Sequence, residues 1–357
     1  MKKIIILSFA MLSLVACSDD DTASNIAPIQ TISEGGLFGT TDNPLNLGGP
    51  NQQNQVYVNL SEAAAMPVAR ESWDLGFYSG NDFRVVINGS LLMAVKQLET
   101  TDITVRQHED ASVAVGTFQV ENLAYIDNPD GSLSGTAFGT LATSEEAAKV
   151  YLVNLGNQVP DTTPAAGSVN TAGDARGWKK VKIWQDDEGY KMQYSDLDTS
   201  EYTEVAIAKT AGYNHTFFSF TTGSVVNVEP EAAKWDMNLT TFTNEVFDNS
   251  GVSAGAYFYS DFIVTNTKAG VTALMVEGDV AAYEGFTIET LNTGDYAFSD
   301  DQRAIGANWR NVIPLEVYNN VFFVLKDGAG NMYKIKFISM LNTDGERGFP
   351  LFQYELL

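Results

Sequence analysis

The chain has 357 residues, with 21 Lys and Arg against 45 Asp and Glu, a net charge of −24 that leaves little to neutralise phosphates and argues against nucleic-acid binding. One Cys and two His exclude an intrachain disulfide and any Cys-clustered or multi-His metal site. At 44% apolar and 18% charged the composition is globular, and 15 Tyr and 20 Phe lean it towards β structure.

In chain order, Met1-Lys2-Lys3 is a short positive region. The apolar run Ile4 to Leu14 has signal-peptide length and is too short to cross a bilayer as a helix. It ends in Leu14-Val15-Ala16-Cys17, which resembles a bacterial lipobox, in which the Cys is diacylated and becomes the mature N-terminus. The expectation is a signal peptide over 1–16 and membrane attachment only through the lipid on Cys17, each buried CH₂ contributing about 0.8 kcal/mol. Ser18-Asp19-Asp20-Asp21 resembles the surface-export signal of Bacteroidota lipoproteins. Residues 17–54, rich in Gly, Asn, Thr and Pro, read as a flexible tether.

Beyond the tether, short runs of Val, Ile, Tyr, Phe and Thr alternate with turn signals such as Asp130-Gly131, Glu188-Gly189, Asp327-Gly328 and Asp344-Gly345. The spacing predicts antiparallel strands, most clearly a hairpin pairing Val321–Leu325 with Met332–Phe337. Lys180, Lys182, Lys334 and Lys336 alternate with apolar residues, which predicts strands with lysines on a wet face. Helical periodicity is scarce, with one or two turns possible at Ser144–Lys149.

Four landmarks recur in the same order. Trp73-Asp74 answers Trp235-Asp236, and Val150–Val153 answers Val321–Val324. Lys180–Ile183 then answers Lys334–Phe337, and Met192-Gln193-Tyr194 answers Phe352-Gln353-Tyr354. The chain therefore reads as all-β, with two tandem antiparallel domains over 55–204 and 205–357; an insertion over 154–177 reads as an extended hairpin loop. Trp73, Asp74, Trp235 and Asp236 read as scaffold, because a buried indole fills volume and an adjacent carboxylate can fix a turn or backbone amide.

Thr216–Phe220, Gly223–Val228 and Lys234-Trp235-Asp236-Met237 resemble the HmuY family, as do the hairpin with Lys334–Phe337 and the closing Phe352-Gln353-Tyr354. The resemblance is close over about 205–357 and looser over 55–200. It implies a Bacteroidota outer-membrane lipoprotein exposed at the cell surface. Such a protein binds haem or a related porphyrin for iron acquisition, as a haemophore that hands its cargo to a TonB-dependent receptor. Family members hold the iron through paired axial His or Met side chains in loops following the Trp-Asp strand.

In this chain that resemblance points to Met275 in the second repeat and to Met93 and His108 in the first as axial-ligand candidates, with Arg303 and Arg310 as propionate partners. His215 reads as a strand-edge residue. No bis-His pair exists in either repeat, which keeps a second reading open: a glycan- or protein-binding surface module without haem. No catalytic triad, phosphate loop or distinctive carboxylate dyad appears, so the expected function is binding and not catalysis.

Overall fold

The computed structural model describes residues 32–116 and 119–357. Cys17, the signal peptide and the first part of the expected tether lie outside the described residues. A first arm carries β1 (Gly35–Phe38), β2 (Asn54–Asn59) and β3 (Ala64–Ala69). There follow β4 (Leu75–Tyr78), β5 (Val85–Ile87), β6 (Ala94–Gln97), β7 (Val150–Asn154), β8 (Trp178–Asp186) and β9 (Gly189–Ser195). A second arm repeats the first as β10 (Thr203–Ala208), β11 (His215–Ser219) and β12 (Ser224–Val226). The chain continues through β13 (Met237–Phe247), β14 (Ser253–Thr265) and β15 (Thr272–Glu277) to two short helices, α1 (Val280–Gly285) and α2 (Ile288–Thr293). It closes with β16 (Arg310–Val312), β17 (Leu315–Val317), β18 (Val321–Lys326), β19 (Met332–Leu341) and β20 (Arg347–Leu356).

Hydrogen bonding groups these strands across the sequence repeat. A five-stranded sheet runs β10-β9-β8-β7-β6 and packs on a four-stranded sheet, β12-β11-β4-β5. Its counterpart runs β1-β20-β19-β18-β15 and packs on β14-β13-β2-β3. The arm at the start of the chain thus completes the C-terminal sandwich, and the arm in the middle completes the N-terminal one. The two exchanges keep one register. Phe218 faces Leu75 and Phe217 faces Gly76, just as Val58 faces Met237 and Tyr57 faces Asn238. Each arm buries an alternating apolar face: Phe38, Val56, Val58 and Leu60 in one core, Ile207 and Phe218 in the other.

This arrangement corrects the tether reading from Ser33 onward. β1 pairs with β20, and Phe38, Leu45 and Leu47 are core residues. The Gly-rich composition serves tight approach rather than slack: Gly39 has φ +93° and a Cβ there would sit 2.1 Å from the Pro350 carbonyl oxygen. The boundaries 55–204 and 205–357 follow the sequence repeat, whereas the sandwiches are bounded by the arms, and Ser33–Leu357 forms one compact unit. The insertion is the extended loop of the β7–β8 hairpin, its base paired antiparallel at Asn157 and Ala175, and its far end acts as a strap. Asn170 N donates to Pro50 O (3.0 Å) and Gly167 N to Gly345 O (2.9 Å), tying it to the C-terminal sandwich.

The expected hairpin forms as β18 and β19, its turn held by the Asp327 carboxylate, which accepts from Ala329 N (2.9 Å) and Asn331 N (2.8 Å). The wet lysine face does not form. Lys180, Lys182, Lys334 and Lys336 are all buried. The outer faces of the five-stranded sheets are roofed by loops and by the two helices; Lys180, Lys334 and Lys336 donate to backbone carbonyls, and the Lys182 ammonium lies 3.9 Å from the Glu145 carboxylate. Lys180 donates to Val105 O (2.9 Å) and Thr199 O (2.6 Å), and Lys334 to Tyr283 O and Phe286 O at the end of α1 (3.2 Å each). Residues 144–149 form turns without a helix. The helices lie elsewhere, capped by Asp279 on Ala282 N (2.9 Å) and by Thr287 on Thr290 N (3.3 Å).

Candidate functional site

The Trp-Asp pairs anchor the arm exchange. The Asp74 carboxylate accepts from Phe220 N (2.6 Å) and that of Asp236 from Leu60 N (2.7 Å), each fixing the end of the incoming strand. Asn88 and Asn266 each donate to the carbonyl of the adjacent Trp, at 2.9 Å in both cases. The scaffold reading of these four residues leaves open where the indoles lead. Trp73 packs edge-on to Phe217 (4.8 Å between ring centroids) and Trp235 edge-on to Tyr57 (5.0 Å), and the four rings meet in one cluster between the two sandwiches.

Beside that cluster lies a cavity of about 180 Å³, lined from both halves. Asn128, Ser132, Leu133 and Phe242 line it and are themselves partly or wholly exposed, so it opens between the 126–136 loop and β13. Six buried polar atoms of its lining residues have no hydrogen-bond partner among the described residues: Trp73 Nε1, Trp235 Nε1, His215 Nε2, Asn238 Oδ1, Thr136 Oγ1 and Thr265 Oγ1. A buried polar group left unpaired costs about 1–3 kcal/mol, so six around one space mark a place built to be filled.

The charged groups of the lining are already engaged. Asp127 accepts from Ile87 N and Ala137 N, both at 2.8 Å, and burial raises its carboxyl pKa to about 6. Glu229 accepts from His215 N (2.7 Å), with its other oxygen 3.8 Å from His215 Nδ1. Lys268 donates to Gly131 O (2.7 Å), and burial lowers its pKa. Burial, and secondarily the Glu229 charge, raise the pKa of Tyr57 well above its ordinary value. Among the described residues no group of three His, Cys, Asp or Glu could hold a metal ion.

A model of the HmuY protein family matches residues 51–210 and again residues 211–354. The chain belongs to the HmuY family. No curated protein and no solved structure matches it. The two HmuY regions meet between β10 and β11, so the family repeat is a repeat of sequence whose sheets are completed reciprocally.

Within this HmuY pair the haem-site candidates stand apart from one another. Met93 is fully buried in the core of the N-terminal sandwich. His108 lies on an exposed loop beside Trp178 and Asp198. Met275 is 45% exposed on β15, the edge strand of the other sandwich. Arg303 is held in a fork by Asp301 (2.7 and 2.9 Å) and reaches Asn244 (3.1 Å). Arg310 is buried and donates to the Ser260 carbonyl, and burial lowers its pKa. None of the three recesses described is lined by two axial candidates. The central cavity is also small against the roughly 300–1,000 Å³ usual for ligand pockets.

The cavity residues Asn238, Thr265, Thr136 and Asp127 carry no sequence signature of their own. The available signal was the asymmetry inside the repeat: Asn238 occupies the position of Gly76, placing a polar side chain where the other half has none.

Proposed function

We propose that this HmuY-family chain is a non-catalytic, surface-exposed outer-membrane lipoprotein, held by a lipid on Cys17, that captures haem or a related porphyrin for iron acquisition and passes it to a TonB-dependent receptor. The observation that carries the reading is the family match over both halves of the chain. Met275 supports it further: an exposed thioether on an edge strand is a soft ligand available to ferrous haem iron. Met275 would fill one axial position, and the sixth is left to water or to the receptor.

A second reading, a glycan- or protein-binding module on the duplicated scaffold, is favoured by one observation: Met93, His108 and Met275 do not converge. Titration of the chain with haemin, oxidised and reduced, separates the two. The haem reading expects a saturable Soret shift that Met275→Ala weakens at least tenfold in the reduced form. Absence of saturation in both oxidation states overturns it, and a saturation indifferent to Met275→Ala and His108→Ala removes those residues as ligands.

A further inference from the structure

The central cavity is lined by none of the axial candidates Met93, His108 and Met275. We infer that it takes one small, neutral, hydroxyl-rich ring compound, a monosaccharide or a solute of that size, held where the two repeats meet. The argument begins with size. A cavity of about 150 Å³ accepts benzene, so about 180 Å³ has room for a single six-membered ring with small substituents and none for a tetrapyrrole.

Polarity narrows the class. The two orphaned indole N–H groups of Trp73 and Trp235 can only donate, Asn238 Oδ1 can only accept, and the hydroxyls of Thr136 and Thr265 can do either. A ligand that satisfies all of them needs donors and acceptors distributed around its edge, which a ring of hydroxyls supplies. Charge narrows it again. The lining's charged side chains, Asp127, Glu229 and Lys268, are of mixed sign and already engaged by backbone groups, so the orphaned atoms that face a ligand are all neutral. The rings of Tyr57, Trp73, Phe217 and Trp235 supply the apolar faces against which the C–H faces of a sugar ring pack.

The site needs both repeats. Asn238 and Trp235 come from the second, Trp73 and Thr136 from the first, and the exchanged arms bring Tyr57 and His215 beside them. Water is the rival occupant, since a polar cavity of this size accepts several ordered molecules. What argues for an exchangeable solute is the mouth at the surface, bordered by Asn128, Ser132, Leu133 and Phe242.

Two of the chain's five Trp line the cavity, so tryptophan fluorescence and calorimetry with glucose, galactose, mannose, fucose and xylose read it directly. The expected result is saturable binding of at least one of these at one site per chain. Asn238→Leu should weaken it at least tenfold and Thr265→Val two- to fivefold, both variants keeping the wild-type near-ultraviolet circular dichroism and haemin behaviour. Failure of all five sugars to saturate at millimolar concentration overturns the inference in favour of bound water. Binding that survives unchanged in both folded variants overturns it equally. Neither result bears on haemin capture.

Discussion

The two sandwiches solve one structural problem with different electrostatics. Asp74 and Asp236 occupy equivalent positions, both buried and both bonded to the backbone of an incoming arm. In the N-terminal sandwich the strap supplies Arg176, whose guanidinium lies 2.7 Å from Asp74, an ion pair with the carboxylate fully buried. The C-terminal sandwich has no such strap, and among the described residues Asp236 forms no ion pair. Burial consequently raises its carboxyl pKa to about 7, assisted by the neighbouring charges of Asp327 and Glu62. An insertion in one repeat thus gives a shared carboxylate an ion-pair partner, where the repeat without it leaves a group that titrates near neutrality.

The comparison is tested most severely at the arms. Phe38, Val56, Val58 and Leu60 are fully buried in the C-terminal core. At about 1.5–3 kcal/mol each, their removal approaches a domain's whole stability of about 5–15 kcal/mol. Residues 70–357 alone should therefore show one cooperative unfolding transition, from the N-terminal sandwich, and a molten C-terminal half by amide exchange. A separate peptide of residues 33–69 should restore protection. Native-like protection throughout without that peptide would break the account of reciprocal completion.

The next effect is at Arg176. Arg176→Met leaves Asp74 charged and unpaired in the interior, at a cost of about 3–5 kcal/mol. The double variant Arg176→Met with Asp74→Asn should recover most of it in urea unfolding. A single-variant loss below about 1 kcal/mol, the range of exposed pairs, would show that the ion pair is incidental.

The smallest effect separates the two carboxylates by pH. A carboxyl whose folded pKa lies above its unfolded value contributes stability that is complete below about pH 4 and is lost as pH rises through about 7. Asp236→Asn keeps an acceptor for Leu60 N without the charge. Its stability relative to the wild type should rise between pH 4 and 8, by on the order of a few kcal/mol. Unfolding at a series of pH values measures this, and a difference that stays flat with pH would contradict it.

Some of this was legible residue by residue. Strand alternation, the hairpin at Asp327-Gly328 and the repeated Trp-Asp pairs are local patterns, and each is found as a strand, a turn or a buried anchor. The lysines show where such reading stops. Alternation assigns Lys334 and Lys336 to one face of β19 but carries no information about what roofs that face, and α1 and its flanking loops do so. Met275 shows the converse: an apolar run predicts burial, yet β15 is an edge strand and leaves the thioether exposed.

The candidate site was legible only in its anchors. Trp73 and Trp235 were visible as a pair. That they share one cavity with His215 and Asn238 depends on which half supplies each hairpin partner. Period-two patterning, turn residues and duplication specify that strands form and which side chains share a face, because those preferences act within a few residues. The partner of a strand edge is chosen by whichever arm closes the ladder with the most apolar burial. In this chain that choice joins segments some 180 residues apart, Val58 with Met237, and with it assembles the space between the repeats.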